Sequence, residues 1–396
     1  MTVTFQAIGG VGEYGKNCFY IEGKNSRILL DCGIKRGTKT EYPEVEKMNI
    51  KALDAVFLSH IHDDHCIGLP LLYKQGYKGN VIMSEETKNK LPQAFKKWRH
   101  NQEKKEQIPY STKDEQAIQM HTFSYETKGK WIIINDHLRF QWSLSGHVIG
   151  GVSYLIQMED QLIYYSGDFS SESLFLQAEY PTNLKEKLDL AIIDSGHANL
   201  AIQKEQVQII IDEMNGKNRI LFPVPKYGRG IELLSYITNR TERMIYCDTR
   251  LLEGIQYYLQ HENYLKKHGR LLLEWLTIHK RIQFLQIEEM DVAKEGVFFI
   301  CDPKLLHHAI TYEQLGEDRE TKFIFTDYIE QEGKVEKMLQ KSKQAVRVPY
   351  KVHQNKDELE RMMHMLQARE NVFFHSEKAV YERLKDMFQK KYRLYY

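Results

Sequence analysis

The stretch HIHDDH (60–65) places three histidines and two aspartates in six positions, directly after the apolar run AVFLS (55–59). In an extended chain its first two histidines point to the same side, because side chains alternate along a strand. Imidazole nitrogens and carboxylate oxygens are typical ligands of zinc. A solvated polar loop is the alternative, but this spacing after a buried strand favours the start of a two-metal site. The predicted ligands in this stretch are His60, His62, Asp64 and His65.

The same setting recurs at four other places where a short apolar run ends. The residues there are His147 in SGHVIGG, Asp168 in YYSGDFS, His375 in NVFFHS and Asp31 in RILLD. Glycines beside His147 and Asp168 let the backbone and a metal approach closely. Asp31 is expected to receive an N–H from a ligand histidine and so to hold that ligand in place. Each residue alone could be a turn aspartate or a hydrogen-bonded histidine, but five such strand ends together predict a metal centre.

The composition is that of a globular protein with two or three domains, since 42% of the 396 residues are hydrophobic and 28% are charged. A formal net charge of +1 gives no global basic field, although a local basic groove stays compatible with it. The start MTVTFQAIGG lacks the features of a signal peptide, and no stretch approaches the ~20 apolar residues of a bilayer span. Five scattered cysteines without a CxxC pair favour reduced thiols. We therefore expect a cytoplasmic protein without a membrane partner.

Two patterns of secondary structure divide the chain. Up to about residue 196, short β-branched or aromatic runs dominate, and a long polar helix near residues 85–106 interrupts them. After residue 197, helices and strands alternate, and the predicted helices include KLLHHAITYEQLG (304–316). Such alternation is typical of a doubly wound, mainly parallel α/β unit. The tail then predicts the strand AVRVPYKVH (345–353) and a final helix–strand–helix.

The order of the candidate ligands resembles the metallo-β-lactamase superfamily, with HxHxDH (60–65), then a lone His147, then a lone Asp168. Three later residues resemble its β-CASP branch, which includes ribonuclease J and the endonuclease of messenger-RNA 3′-end processing. They are Asp194 in LAIIDSG, His353 in VPYKVHQNKDEL and His375 in NVFFHSEK.

This resemblance covers almost the whole chain. GGVGEYGKNCF (9–19) is similar to the opening of ribonuclease J, and PVPKYGRGIELL (223–234) is similar to the family's Gly-Arg-x-x-Glu-Leu helix start. The implied fold class is α/β: an αββα metallo-β-lactamase fold with an inserted doubly wound α/β β-CASP domain. Residues 1–196 and 349–396 would form the metallo-β-lactamase domain, and residues 197–348 would form the β-CASP cap domain.

The resemblance also implies a role for each site residue. One zinc ion would be held by His60, His62 and His147. The other would be held by Asp64, His65 and His375. Asp168 would bridge the two ions. The implied catalytic residues are Asp64, Asp194 and His353, where His353 gives a proton to the leaving 3′-oxygen and Asp194 orients it. On its residues alone, His353 fits a structural histidine at a strand end better than a catalytic residue. Zinc is the default metal for these donors, and manganese and iron are the alternatives.

Contacts to the substrate are expected from Lys226, Arg229, Lys351 and His197. Lys226 and Arg229 follow a strand and open a helix, where doubly wound sheets bind anions. Ordinary surface charge is the alternative. Lys351 stands where the family usually has a serine or a second histidine, two residues before His353. After Asp194 the family's common Thr-Tyr-Gly is replaced here by Ser-Gly-His, which ends in His197.

The predicted function is a zinc-dependent nuclease that hydrolyses RNA by a two-metal hydroxide mechanism with a histidine general acid. It could act as an endonuclease, a 5′ exonuclease or both. The alternative is a hydrolase of the same fold that cleaves a small phosphodiester, a thioester or a lactone. A non-catalytic RNA-binding relative ranks last, because every expected ligand is present. Single-stranded RNA is the expected partner, DNA stays open, and a homodimer is the expected assembly.

Overall fold

The structure is a computed structural model that describes residues 3–102, 107–181, 187–200, 203–301, 318–326, 339–340 and 342–394. The predicted helix over 304–316 lies outside these residues. The chain divides into two compact units. The first unit comprises Met1–Ser171, Gln177–Asn199 and His353–Tyr396. The second unit comprises Glu172–Leu176 and Leu200–Val352. The breaks after Asn199 and Val352 lie a few residues beyond the predicted domain boundaries, and Glu172–Leu176 belongs to the second unit although it was predicted in the first domain. The assignment of the two domains stays a prediction.

The helices and strands follow in chain order. The strands are β1 (Thr4–Gly9), β2 (Cys18–Glu22), β3 (Arg27–Leu30), β4 (Ala55–Phe57), β5 (Asn80–Ser84), β6 (Gln119–Phe123), β7 (Ile132–Asn135), β8 (Leu138–Leu144), β9 (Val152–Met158), β10 (Gln161–Tyr165), β11 (Leu190–Asp194), β12 (Arg219–Pro223), β13 (Ile245–Asp248), β14 (Ile282–Leu285), β15 (Gly296–Ile300), β16 (Thr321–Phe325), β17 (Ala345–Arg347) and β18 (Glu370–Phe374). The α-helices are α1 (Asp63–Cys66), α2 (Leu69–Lys74), α3 (Glu85–Gln102), α4 (Thr112–Gln116), α5 (Gln203–Met214), α6 (Arg229–Thr238), α7 (Thr249–Leu259), α8 (Lys267–Ile278), α9 (Lys356–Leu366) and α10 (Lys378–Phe388).

Two six-stranded sheets form the centre of the first unit. Their strand orders are β1-β2-β3-β4-β5-β6 and β18-β11-β10-β9-β8-β7. The sheets pack face to face through buried aromatic rings: the ring centroids of Phe57 and Tyr154 lie 5.2 Å apart, and those of Phe19 and Tyr165 lie 5.8 Å apart. Large rings on the inner faces remove much apolar surface from water, which stabilises the sandwich.

Helices cover the outer faces of this sandwich. Leu72 of α2 and Phe95 of α3 join the apolar core on the outer face of the first sheet. Met362 of α9 and Leu384 of α10 join the core on the outer face of the second sheet. The layers are therefore helix, sheet, sheet and helix, which confirms the predicted αββα fold.

The second unit contains a six-stranded sheet of order β14-β13-β15-β12-β16-β17. All of its strand pairs are parallel. Strands that are buried on both faces are continuous apolar runs, as in β15, where all five residues of GVFFI are buried. Helices α5–α8 lie between the strands along the chain. This unit is the mainly parallel α/β fold that the alternating sequence pattern predicted.

Among the residues that the structure describes, no helix is long and apolar enough to cross a membrane.

Replacing Tyr154 should test how much the sandwich depends on its inner aromatic layer. The Tyr154 side chain is fully buried, and its hydroxyl donates to the Leu58 carbonyl at 2.8 Å. Tyr154→Phe removes only the hydrogen bond and should lower the free energy of unfolding by about 1 kcal/mol. Tyr154→Ala also leaves a cavity and should cost about 3–5 kcal/mol. Urea unfolding followed by circular dichroism measures both values.

The matched control for these variants is Ile133→Ala, because the Ile133 side chain is 74% exposed. That variant should change the free energy of unfolding by less than about 0.5 kcal/mol. Equal losses for Tyr154→Phe and Tyr154→Ala would contradict the role of ring packing.

Candidate metal centre

The strand directions bring the predicted ligands to one edge of the first unit. β3 and β4 are parallel, and so are β10, β11 and β18. β8 runs in the same direction as β10, because both are antiparallel to β9. The carboxyl ends of strands that run the same way lie at one edge of a sheet, and side chains that follow them meet there. The residues that follow or end these strands are Asp31, His60, His147, Asp168, Asp194 and His375.

Four of the predicted ligands form a first group, in which every ligand atom lies within 4.8 Å of the others: His60, His62, His147 and Asp168. His62 Nδ1 is 3.0 Å from His60 Nε2 and 3.2 Å from His147 Nε2. Asp168 Oδ2 is 3.5 Å from His60 Nε2 and 3.4 Å from His147 Nε2. Three imidazoles and one carboxylate therefore surround one small volume.

A second group lies next to the first and consists of Asp64, His65 and His375. Asp64 Oδ2 is 3.0 Å from His375 Nε2 and 3.6 Å from His65 Nε2. The other oxygen of Asp168, Oδ1, is 3.1 Å from His65 Nε2. Asp168 thus faces the first group with one oxygen and the second group with the other, which is the geometry that a bridging carboxylate requires.

Asp31 lies behind the second group and is fully buried. His65 Nδ1 is 2.6 Å from Asp31 Oδ2, so the opposite ring nitrogen faces the candidate site. This contact is the support that the sequence analysis predicted for a ligand histidine. Asp31 and His375 also have positive φ angles, 55° and 64°. A non-glycine residue adopts this region at an energetic cost, and such strain is commonly found at functional sites.

His353 and Asp194 form a hydrogen-bonded pair at the same edge, with 3.0 Å between His353 Nδ1 and Asp194 Oδ2. The Asp194 carboxylate is itself fixed, because it accepts from the backbone N–H of Phe169 at 2.9 Å and of Gly196 at 2.8 Å. On the other side of His353, Asn355 and Glu358 exchange side-chain and backbone hydrogen bonds in a capping box. The start of α9 is thereby fixed just after His353.

A third group with metal-like spacing overlaps these residues and comprises Asp168, Asp194, His353 and His375. His353 and Asp194 in this group are already joined by their hydrogen bond. Their predicted roles, a proton donor and its orienting carboxylate, stay a prediction.

The carboxylates concentrate negative charge at the site, which shifts the pKa values of the neighbouring groups. Burial alone would lower the pKa of His65, but Asp168, Asp64 and Asp31 raise it well above its usual value. Burial would likewise lower the pKa of His375, and Asp168, Asp194 and Asp64 raise it. Conversely, burial would raise the pKa of Asp168, but His375 and His65 hold it well below its usual value. Buried carboxylates and these two imidazoles thus stabilise each other's charged forms in the protein alone.

The residues present fit a metal ion. Asp168 Oδ1 and His375 Nδ1 are buried, yet within the described ranges neither atom makes a hydrogen bond. Buried polar atoms are rarely left so. A cation held by the surrounding histidines and aspartates would satisfy such buried atoms. The structure thus contains histidine–aspartate clusters suited to a metal, and the assignment of individual ligands stays a prediction.

The four predicted substrate residues differ in their surroundings. Lys226 Nζ lies 2.5 Å from Glu253 Oε2, and burial lowers the pKa of Arg229 to about 10. Lys351 is buried, and its ammonium is 2.9 Å from Glu172 Oε2. These three residues belong to the second unit, and their contact with a substrate stays a prediction.

The fourth, His197, lies in the first unit and touches the Asp194–His353 pair. Its Nδ1 accepts from the His353 backbone N–H at 3.3 Å. The structure places His197 beside the predicted acid, where its contact with that residue is direct.

Sequence analysis gave no role to three further residues at this edge. Tyr14 donates its hydroxyl hydrogen to the Gly196 carbonyl at 2.6 Å. Asn17 Nδ2 is 2.8 Å from His65 Nε2, and the Tyr165 hydroxyl donates to Asp31. Tyr14 and Asn17 belong to the motif GGVGEYGKNCF, which was the one signal in the sequence that could have drawn attention to them.

Comparison with known families identifies the fold to which this site belongs. Residues 11–172 match the family model of the metallo-β-lactamase superfamily. This segment of the chain belongs to the metallo-β-lactamase superfamily. The matched segment carries six of the seven predicted ligands, which are His60, His62, Asp64, His65, His147 and Asp168.

Several relatives of this chain are members of the β-CASP branch, to which the sequence motifs showed a resemblance. A transcription termination factor, FttA, of Methanothermobacter thermautotrophicus is 27% identical over 85% of this chain and 57% of its own length. An RNase J-like protein of Methanocaldococcus jannaschii is 25% identical over 81% of this chain and 76% of its own. The cleavage and polyadenylation specificity factor 73 of Drosophila melanogaster is 30% identical over 57% of this chain and 34% of its own. The chain thus spans little more than half of the FttA relative.

One solved structure is similar over nearly the whole length of this chain. It is the crystal structure of a protein of unknown function from Enterococcus faecalis V583, with a TM-score of 0.54 and 16% identity. The similarity covers 99% of this chain and 96% of that chain, and it concerns the fold alone.

Metal analysis of variants should test the two ligand groups of this metallo-β-lactamase domain. Protein dialysed against zinc and measured by elemental mass spectrometry should hold about two ions per chain. His147→Ala disturbs one group and should retain about one ion. Asp168 faces both groups, so the Asp168→Ala variant should lose more metal than the His147→Ala variant does.

The control for these measurements is His364→Ala, because His364 is exposed on α9. Its metal content should equal that of the unmodified protein. Full metal content in Asp168→Ala, or none in the unmodified protein, would rule out the proposed ligand set.

Proposed function

We propose that the chain is a metal-dependent nuclease that hydrolyses phosphodiester bonds of single-stranded RNA. The observation that carries the proposal is the Asp194–His353 pair beside the two ligand groups, with 3.0 Å between His353 Nδ1 and Asp194 Oδ2. A 3′-alkoxide is a poor leaving group, so its departure benefits from a nearby proton donor. Relatives named RNase J-like protein and probable RNase MJ4, both of M. jannaschii, support RNA as the substrate.

We propose zinc as the metal, because histidine nitrogens dominate the donor set and zinc accepts mixed nitrogen and oxygen ligands. One ion would be held by His60, His62 and His147. The other would be held by Asp64, His65 and His375. Asp168 would contact both. When bound, the two ions would lower the pKa of water and neutralise charge on the phosphoryl oxygens.

The protein's own residues would manage the proton on the leaving group. His353 Nδ1–H donates to Asp194 Oδ2, so the opposite nitrogen, Nε2, would hold the proton for transfer. Water supplies the oxygen that joins phosphorus, the bond from phosphorus to the 3′-oxygen breaks, and that oxygen takes the proton from His353. The products would be a 3′-hydroxyl and a 5′-phosphate. Asp194 would keep the ring in the orientation that the transfer requires.

The alternative substrates differ in how much they need this pair. A thiolate leaves a thioester without being protonated, so a positioned acid would contribute little there. A small phosphodiester with an alkoxide leaving group needs the same proton donor as RNA, and only an assay on both substrates separates them.

We further propose a cytoplasmic location, because all five cysteines are free thiols in the structure.

Replacing His353 should test the proposed acid directly. His353→Ala should lower the rate of cleavage of end-labelled single-stranded RNA by about 10²–10⁴-fold. Its zinc content should stay close to that of the unmodified protein, because its ring bonds to Asp194 and is not a proposed ligand. Hydrolysis of bis(p-nitrophenyl) phosphate should fall much less, because p-nitrophenolate leaves without a proton.

The RNA ladder from this assay also separates internal cuts from trimming at the 5′ end, and a DNA of the same sequence tests the choice of sugar. His364→Ala serves again as the exposed control. An unmodified protein with full zinc content that cleaves neither polymer would refute the nuclease proposal. Activity on a thioester or a small phosphodiester would then identify the alternative.

A further inference from the structure

The turn at the end of β11, residues 194–197, forms two hydrogen bonds with His353. Asp194 Oδ2 receives the ring Nδ1–H at 3.0 Å, and His197 Nδ1 receives the backbone N–H at 3.3 Å. The rings of His197 and His353 also meet edge to face, with centroids 4.8 Å apart and an angle of 87° between planes. One four-residue turn thus restrains both the main chain and the side chain of His353.

The turn approaches His353 closely because it contains a glycine. A Cβ atom on Gly196 would lie 2.9 Å from His353 Cγ and 3.1 Å from His375 Nδ1, so a side chain does not fit there. Ser195 ties the turn to β18, because its backbone N–H donates to the Phe374 carbonyl at 3.0 Å and its hydroxyl donates to the same carbonyl at 2.7 Å. The turn is therefore a fixed surface against which the His353 ring lies.

Tyr14 forms a further hydrogen bond with the same turn. Its hydroxyl donates to the Gly196 carbonyl at 2.6 Å. Its ring packs against the ring of His375, with centroids 4.6 Å apart. The hydrogen bond joins residues that are 182 positions apart in the chain. Through Gly196, Tyr14 connects the candidate ligand His375 to the turn that holds His353.

We propose that Tyr14 and His197 are positioning residues that hold His353 where its proton can reach the leaving oxygen. This inference rests on the proposed function, since it needs His353 as the general acid. Neither residue has to touch the substrate. A misplacement of about 1 Å in a reacting group can cost about 10²-fold in rate, so loss of either contact should weaken the acid without removing it.

A purely structural role for the two residues makes a different prediction. General destabilisation would lower activity on every substrate and would reduce the metal content. A misplaced acid would slow only those reactions whose leaving group needs a proton. The ratio of RNA cleavage to bis(p-nitrophenyl) phosphate hydrolysis therefore distinguishes the two roles.

Steady-state kinetics of four variants test the proposal. His197→Ala should lower kcat on RNA by about 10-fold or more, with KM, zinc content and bis(p-nitrophenyl) phosphate hydrolysis close to the unmodified values. His197→Asn should recover most of this loss, because its amide oxygen can accept the His353 N–H. Tyr14→Phe should give a smaller loss of the same selective kind. In the double variant His197→Ala/His353→Ala, the His197 change should add nothing, because residues that act as one unit are not additive.

Tyr77→Phe is the matched control for Tyr14→Phe. Tyr77, like Tyr14, donates its hydroxyl hydrogen to a backbone carbonyl, that of Asn80 at 2.8 Å. Asn80 begins β5, so this contact lies at the opposite end of the sheet from the site. This variant should cleave RNA normally. His364→Ala is the control for His197→Ala.

The outcomes separate failure of the inference from failure of the proposed function. If the unmodified protein cleaves RNA and His353→Ala does not, normal RNA kinetics in both His197→Ala and Tyr14→Phe would overturn the inference alone. Equal losses on RNA and on bis(p-nitrophenyl) phosphate would also overturn it, in favour of a structural role. Absence of RNA cleavage by the zinc-loaded unmodified protein would overturn both proposals.

Discussion

The buried carboxylate of Asp31 is the contact on which the rest of the site depends. It accepts from the Ser59 backbone N–H at 2.7 Å, from the Ser59 hydroxyl at 2.6 Å and from the Tyr165 hydroxyl, and it lies 2.6 Å from His65 Nδ1. A buried charge is costly unless such partners surround it. Because Tyr165 ends β10 of the second sheet and Ser59 follows β4 of the first, Asp31 joins the two sheets at the edge where the ligands meet.

The chemistry of the edge follows from this concentration of negative charge. Asp31, Asp168 and Asp194 are all buried. Together with Asp64 they raise the pKa values of His65 and His375. A divalent cation would satisfy the same demand and would also engage Asp168 Oδ1, which makes no hydrogen bond in the described part of the chain. The proposed acid, His353, stands beside this charge but keeps its own carboxylate partner, Asp194.

Much of this arrangement could be predicted from the sequence, because the ligands stand at the ends of apolar runs whose strand character is plain. The αββα layers and the parallel second unit are confirmed. His353 was identified through family resemblance. The local pattern predicted a strand over 345–353, but in the structure this strand ends at Arg347, so His353 does not lie at its end. β6 lacks the apolar run that marks a strand in the sequence, because only Phe123 in QMHTF is buried. The contact of Tyr14 with Gly196 and the ion pair of Lys351 with Glu172 join distant parts of the chain, which local sequence patterns do not report.

The central claim is that this edge of the first unit holds two metal ions between its histidines and aspartates. A crystal of the zinc-loaded protein, measured on both sides of the zinc absorption edge, tests it most directly. The account predicts two anomalous peaks, one within bonding distance of His60, His62 and His147 and one within bonding distance of Asp64, His65 and His375, with Asp168 in contact with both. A site without anomalous density, or zinc bound only elsewhere on the chain, would contradict the account.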